Sequence, residues 1–271
     1  MSNQEPAKES WENPVRVSLR EGKPVAGITI MGAGVEAAVQ AAGLGFDFLW
    51  IEMEHSPITL ETVRQIVLAT RGLKCVPFTR VPVNEYWTAK RVLDAGALGV
   101  IFPFVSTAEA ALRAAQACKY PPLGRRGSGP GLATFRWPAP EGYADFADRN
   151  VMVIVNIEER EALENIEEIA ATPGVDVLFV GTNDLAYSLG LRGRQTAEVA
   201  RAVDKVVEVA RRHGKFAGAT AATASQAREY IDRGVLFLQT PTELRFMAEG
   251  AKLFLEPLGK SATQVKPQTP Y

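Results

Sequence analysis

A single closed barrel of eight parallel strands wrapped by helices, a (β/α)8 TIM barrel, is the fold class the sequence predicts, and three observations predict it. Eight apolar runs of strand length occur along the chain. Stretches rich in alanine, leucine and glutamate, with helical periodicity, separate most of them. The chain has 271 residues, 46% of them apolar, which is enough for one large core and close to the roughly 250 residues such a barrel takes.

The apolar runs lie at residues 25–31, 46–51, 75–78, 98–102, 151–157, 175–180, 216–219 and 235–238. They read as continuous rather than alternating segments, as strands of a parallel sheet covered on both faces do. Helical stretches follow at 60–71, 108–119, 161–171, 198–212 and 224–233. Several helices are expected to stop at a glycine just before the next run, at Gly43, Gly96 and Gly234, because glycine takes a left-handed cap without steric penalty. An open doubly wound sheet is the alternative packing of the same units.

One domain is predicted, with the barrel at 21–258 between a polar extension at 1–20 and a polar tail at 259–271. The formal net charge of −1 offers no broad positive field for nucleic acid or an anionic membrane. No apolar run approaches the ~20 residues of a membrane span, and the polar first residues lack the apolar core of a secretory signal, so a cytoplasmic protein acting on a small molecule is expected. Cys75 and Cys118 stand apart without a CxxC pair, and both are expected to be buried thiols.

Residues 120–145 break the rhythm with a proline- and glycine-rich segment, far longer than the usual connection of ~4–6 residues. Such a loop is expected to be functional or to lie at an interface. Its glycines and the pair Arg125–Arg126 make a poor phosphate cradle, since no lysine-plus-hydroxyl signature follows.

Four polar residues, His55, Arg80, Glu158 and Asp184, fall where a run ends and a loop begins. Catalytic groups of parallel barrels project from those strand ends. Glu158 and Asp184 would bring two carboxylates to one mouth, a donor set suited to Mg²⁺ or Mn²⁺ with room left for water and substrate. The alternative for Asp184 is a helix cap. His55 is placed to move protons near neutral pH, with Glu52 or Glu54 close enough in sequence to orient its imidazole; a structural histidine is the alternative. Arg80 could stabilise a developing oxyanion or make an ordinary surface ion pair. His213 closes a basic helix end and reads as structural.

The segments IEMEHSP, RVPVNEYWTAKRVLDAGALGVIFPFV, YPPLGRRGSG, NIEERE and VDVLFVGTNDLAYSLG occur in this order, and together they resemble the HpcH/HpaI family of metal-dependent pyruvate aldolases over roughly residues 20 to 258. The resemblance implies a homohexameric barrel using a divalent ion (Mg²⁺, Mn²⁺ or Co²⁺). Its reaction is cleavage of a 4-hydroxy-2-oxo acid to an aldehyde and pyruvate through an enolate. It implies Glu158 and Asp184 as metal ligands, His55 and Arg80 as catalytic groups with Glu52 beside them, and Asn156, Thr182, Asn183 and Asp184 around the pyruvate unit. A lysine Schiff base is the other route to an enolate, but no lysine ends a strand and Lys215 only precedes one.

Some positions depart from the family pattern. Glu52 stands for an aspartate, Asn156 for a glutamine, Thr182 for a proline, and Thr29 where some members carry tryptophan. Thr134 lies near the place of an arginine that some members use for acidic aldehydes, with Arg136 close behind and Leu132, Phe135 and Trp137 around it. A smaller or less charged aldehyde is therefore expected, since an unpaired carboxylate in a desolvated pocket is costly. Two rival readings keep the barrel: an oxaloacetate decarboxylase or enolate-trapping synthase with the same chemistry, and a catalytically silent keto-acid-binding protein.

Overall fold

A computed structural model of the chain describes residues 11–32 and 34–260. Eight parallel strands close on themselves in sequence order: β1 (Val25–Ile30), β2 (Phe48–Glu52), β3 (Val76–Arg80), β4 (Gly99–Phe102), β5 (Met152–Ile157), β6 (Val177–Val180), β7 (Phe216–Thr220) and β8 (Phe237–Thr242). The last strand pairs with the first, with a register shift between Ile28 and Thr29. The predicted closed barrel, not the open sheet, is the fold.

Large rings fill the barrel interior against glycines. Phe48 stacks on Phe237 and Phe78 at centroid distances of 4.5 and 5.1 Å, and Trp50 meets Phe179 at 4.9 Å. A Cβ on Gly27 or Gly99 would stand 2.0 or 2.3 Å from the Phe48 or Phe78 ring. No side chain fits there, so these two positions admit the rings. This layer is the floor of the mouth. Gly96 and Gly234 take the predicted left-handed conformation, whereas the second helix runs on through Gly43 and the positive φ falls at Gly45.

At the opposite end, where strands begin, two expectations need correction. Residues 13–20 are not peripheral. The helix Pro14–Arg20 buries Val15 and Leu19, one turn apart, while Asn13 and Asn150 exchange hydrogen bonds of 2.7 and 2.9 Å and Arg16 pairs with Asp176 at 2.7 Å. The packed barrel thus begins before residue 21. The first ten residues and the tail from residue 261 lie outside the described residues.

The second concerns Arg136: the long loop that carries it packs on this starting end, and none of its residues lines the mouth of its own barrel. Arg136 is buried and donates to Val67 O at 2.6 Å and Cys75 O at 3.2 Å; Trp137 Nε1 donates to Gly96 O at 2.8 Å. Arg126 donates to Asp94 at 2.9 Å and lies over the Tyr120 ring at 4.7 Å. These partners precede β3 and β4, so Arg136 cannot take the place of an aldehyde-binding arginine in this chain. Both cysteines are buried as expected. No helix among the described residues is long and apolar enough to cross a membrane.

Candidate active site

The C-terminal ends of the strands open into a cavity of about 290 Å³, and its lining includes His55, Arg80, Glu158 and Asp184 together with Glu52 and Asn156. Thr182 and Asn183 line it as well, whereas Glu54 is not among the lining residues. Strand alternation explains the convergence: Trp50 and Glu52 on β2, Phe78 and Arg80 on β3, and Asn156 with Glu158 from β5 all point inward.

Glu52 is almost fully buried, and its two oxygens are spent on the scaffold. One accepts from Arg80 Nε at 2.6 Å and Trp50 Nε1 at 3.1 Å, the other from the backbone N–H of Glu54 at 2.7 Å and of His55 at 3.1 Å. It therefore fixes the Arg80 guanidinium and the turn that carries His55, which makes it a positioning residue. The carboxylate near the imidazole is that of Glu54, 3.7 Å from His55 Nε2 and 3.0 Å from Arg80 Nη1. Burial pushes the Glu54 carboxyl up to about 7; Arg80 opposes the rise, while Glu158, Glu52 and Asp184 add to it. Burial works against the Arg80 charge too, but Glu52 and Glu54 outweigh it and hold its pKa up.

Glu158 is 2% exposed. It accepts from Phe104 N–H at 2.8 Å and from Asn156 Nδ2 at 3.1 Å. Phe104 presents that N–H from a left-handed conformation, φ 52°, which is uncommon for a bulky residue and is found where surrounding structure compels it. Gly181 makes the approach possible: a Cβ there would lie 2.4 Å from Glu158 Oε2. Burial pushes Glu158 up to about 7, opposed by the Phe104 N–H and Arg80, with the Asp184 charge raising it further. Asp184 stands in the first turn of the helix Thr182–Ser188.

The donor set fits a divalent cation of the Mg²⁺ type. Such ions take one or two carboxylates and complete their shell with water and substrate. Among the described residues no group of three or more His, Cys, Asp or Glu side chains forms a metal cluster, which argues against an all-protein zinc site. Asn156 Oδ1 is buried without a hydrogen-bond partner, an acceptor left beside Glu158 that a cation's water or a substrate hydroxyl would satisfy.

Of the other half of the mouth, the sequence points only to Thr29, as a departure from the family pattern. Thr29, Thr220, Gln239 and Thr240 line that half, with Gln226 and Arg245 at its edge. The signal was present but fell outside the apolar runs: β7 and β8 continue beyond Ala219 and Leu238 to Thr220 and Thr242, so a strand ended at its last apolar residue omits both Thr220 and Gln239.

Comparison with known proteins shows the family. The family model described as HpcH/HpaI aldolase/citrate lyase matches residues 27–249. The chain belongs to the HpcH/HpaI family. It is 33% identical over 258 residues to a 4-hydroxy-2-oxo-heptane-1,7-dioate aldolase of Escherichia coli, covering 94% of this chain and 98% of the relative. It is 35% identical over 255 residues to a hydroxypyruvate/pyruvate aldolase of Paraburkholderia phytofirmans, covering 91% and 98%. The crystal structure of an HpcH/HpaI aldolase/citrate lyase family protein from Burkholderia cenocepacia J2315 superposes with a TM-score of 0.85 at 32% identity, covering 92% of this chain and all of the other. Within the family, this chain is a carbon–carbon lyase of the aldolase type.

Proposed function

We propose that the protein is a divalent-metal-dependent pyruvate aldolase that cleaves a 4-hydroxy-2-oxo acid to pyruvate and an aldehyde, and runs in reverse as a synthase. The observation that carries this reading is the pairing of Glu158 and Asp184 beside the fixed Arg80 guanidinium, with His55 on the same mouth. Glu158 and Asp184 would hold Mg²⁺, Mn²⁺ or Co²⁺, which supplies Lewis-acid stabilisation of the negative charge that develops on the 2-oxo acid.

The residues of the chain do the rest. Arg80, locked by Glu52 and Glu54, sets a positive charge where the enolate oxygen forms and needs no reorganisation to do so. His55, with Glu54 beside its ring, takes the proton from the C4 hydroxyl as the carbon–carbon bond breaks and the aldehyde leaves; the enolate left behind gains a proton at its methylene carbon to become pyruvate. Thr182 and the backbone N–H groups of Asn183 and Asp184 seat the pyruvate carboxylate, with Asn156 beside it. The buried aromatic floor excludes water from below.

A homo-oligomer, a hexamer by family resemblance, completes the proposal. The helix Glu243–Leu255 supports it: no residue of that helix is buried, and Met247, Leu253 and Phe254 lie open to solvent, as an unfilled subunit contact would. Sedimentation would give the subunit number.

Exchange of the pyruvate methyl protons in D₂O, followed by NMR, tests the chemistry without knowledge of the aldehyde. Exchange should be absent in chelator and restored by Mg²⁺ or Mn²⁺. No exchange under either condition would point to a keto-acid-binding protein, and decarboxylation of oxaloacetate far faster than any aldol cleavage would favour the decarboxylase reading.

A further inference from the structure

The half of the mouth facing away from the charged cluster is built from neutral side chains joined in one hydrogen-bonded run. Thr220 Oγ1 donates to Gln239 Oε1 at 2.7 Å, Gln239 Nε2 donates to Thr29 Oγ1 at 3.0 Å, and Thr29 Oγ1 donates to the Thr240 carbonyl at 3.0 Å. The strands place them there by register, Thr220 opposite Gln239 across β7 and β8, with Thr29 just past the shift between β1 and β8.

The run is directional. Thr29 faces a carbonyl, which can only accept, so its proton is committed and its oxygen must accept from the amide nitrogen of Gln239. That fixes the amide: Nε2 toward β1, Oε1 toward β7. Two valences remain at the cavity, the second N–H of Gln239 and the lone pairs of Thr220 Oγ1. One donates and the other accepts, which is what a hydroxyl group requires, whereas a carboxylate would need donors alone or a cation. Arg245 lies on the edge of this half, but its Nε is engaged with Glu249 at 2.9 Å on its own helix.

Interior positions of such barrels usually carry branched apolar side chains, and a buried polar group is costly unless its hydrogen bonds are made. Resting on the aldolase reading above, the geometry points to Thr220, Gln239 and Thr29 as a subsite for a neutral hydroxyl on the carbon chain of the substrate. That hydroxyl belongs to a hydroxylated aldehyde or to a hydroxylated 2-oxo acid. Thr220, Gln239 and Thr29 offer the carboxylate of an acidic semialdehyde no charged partner.

The test uses the full-length, metal-loaded enzyme. With pyruvate as donor, kcat/KM is compared for glyceraldehyde and propionaldehyde; with propionaldehyde as acceptor, it is compared for hydroxypyruvate and pyruvate. A preference of at least about tenfold for the hydroxylated partner is expected, and the arm in which it occurs identifies the source. In Gln239→Leu and in the near-isosteric Thr220→Val and Thr29→Val the preference should shrink toward unity. The ratio within the wild type stands even if a variant fails to fold. Equal rates in both arms, a preference unmoved by every folded variant, or a preference for succinic semialdehyde that Arg245→Ala abolishes would overturn the assignment while metal-dependent pyruvate exchange persisted. Absence of that exchange in the wild type would overturn both readings.

Discussion

The two halves of the barrel mouth solve different problems with different side chains. At or just past the ends of β2, β3 and β5, and at the start of the helix after β6, stand Glu52, Glu54, Arg80, Glu158 and Asp184; on β7, β8 and β1 stand Thr220, Gln239 and Thr29. In the first half every buried charge needs support. Glu52 accepts four hydrogen bonds, and Glu158 relies on a left-handed Phe104 and a side-chain-free Gly181. Even so, burial drives Glu54 and Glu158 to about 7. In the second half three neutral groups hydrogen-bond in one run and leave two valences open to the cavity. The carboxylates and Arg80 stand on the side where electrons must move, and the opposite side, with Arg245 only at its edge, is suited to recognising a shape and a hydroxyl.

The largest effect should come from removing a carboxylate of the proposed metal pair. Asp184→Asn or Glu158→Gln is expected to lower metal-dependent pyruvate exchange by at least about 100-fold, since loss of supporting groups alone costs 10- to 100-fold at metal sites. Gly181→Ala sharpens the point from the backbone side. Its new methyl would lie 2.4 Å from Glu158 Oε2, so the carboxylate must move and metal affinity should fall by about tenfold or more. Full exchange in Asp184→Asn after chelation would break the division of labour between the halves.

Arg80 comes next. Its guanidinium binds Glu52 and Glu54 through separate nitrogens, a geometry lysine cannot reproduce. Arg80→Lys should reduce kcat by about 100-fold, in line with loss of one oxyanion donor. Glu52→Gln keeps the shape but not the charge that holds Arg80, and a smaller loss of about tenfold is expected, carried by kcat rather than KM. If Glu52→Gln proved more damaging than Arg80→Lys in steady-state assays, Glu52 would have to touch substrate instead of positioning Arg80.

Much of the charged half could be read in the sequence, because ionised side chains at the ends of apolar runs have few reasons to be there. Glu52 and Glu54 could not be assigned separate tasks. Two residues apart on a strand end, they differ in task by how the turn folds back, and only the geometry shows Glu52 on Arg80 and Glu54 beside His55. In the neutral half Thr29 is visible as a departure from the family pattern, but Thr220 and Gln239 are hidden because threonine and glutamine end an apolar run without ending the strand. The end of the barrel on which the long loop packs was legible too, since the loop follows a helix and precedes β5. Chain direction alone assigns such a connection to the end where strands begin, and Arg136 on Val67 and Cys75 agrees.

The smallest effect separates the halves by pH. The folded Glu158 carboxyl keeps its proton to about 7, against an ordinary 4.5, so the metal-free folded state binds more protons than the unfolded chain across that window. Its stability should therefore fall as pH rises from 4.5 toward 7. A divalent ion must displace that proton, so apparent metal affinity should weaken by up to about tenfold per pH unit on the acid side of 7 and level off above it. Thr220, Gln239 and Thr29 carry no group that titrates in this range, and the hydroxylated-to-deoxy substrate ratio should not change with pH. Calorimetric metal titrations and acceptor competition on one preparation, at about pH 6 and about pH 8, measure both. A flat metal affinity would mean that Glu158 is ionised throughout, and a drifting substrate ratio would mean that a charged group reaches into the neutral half.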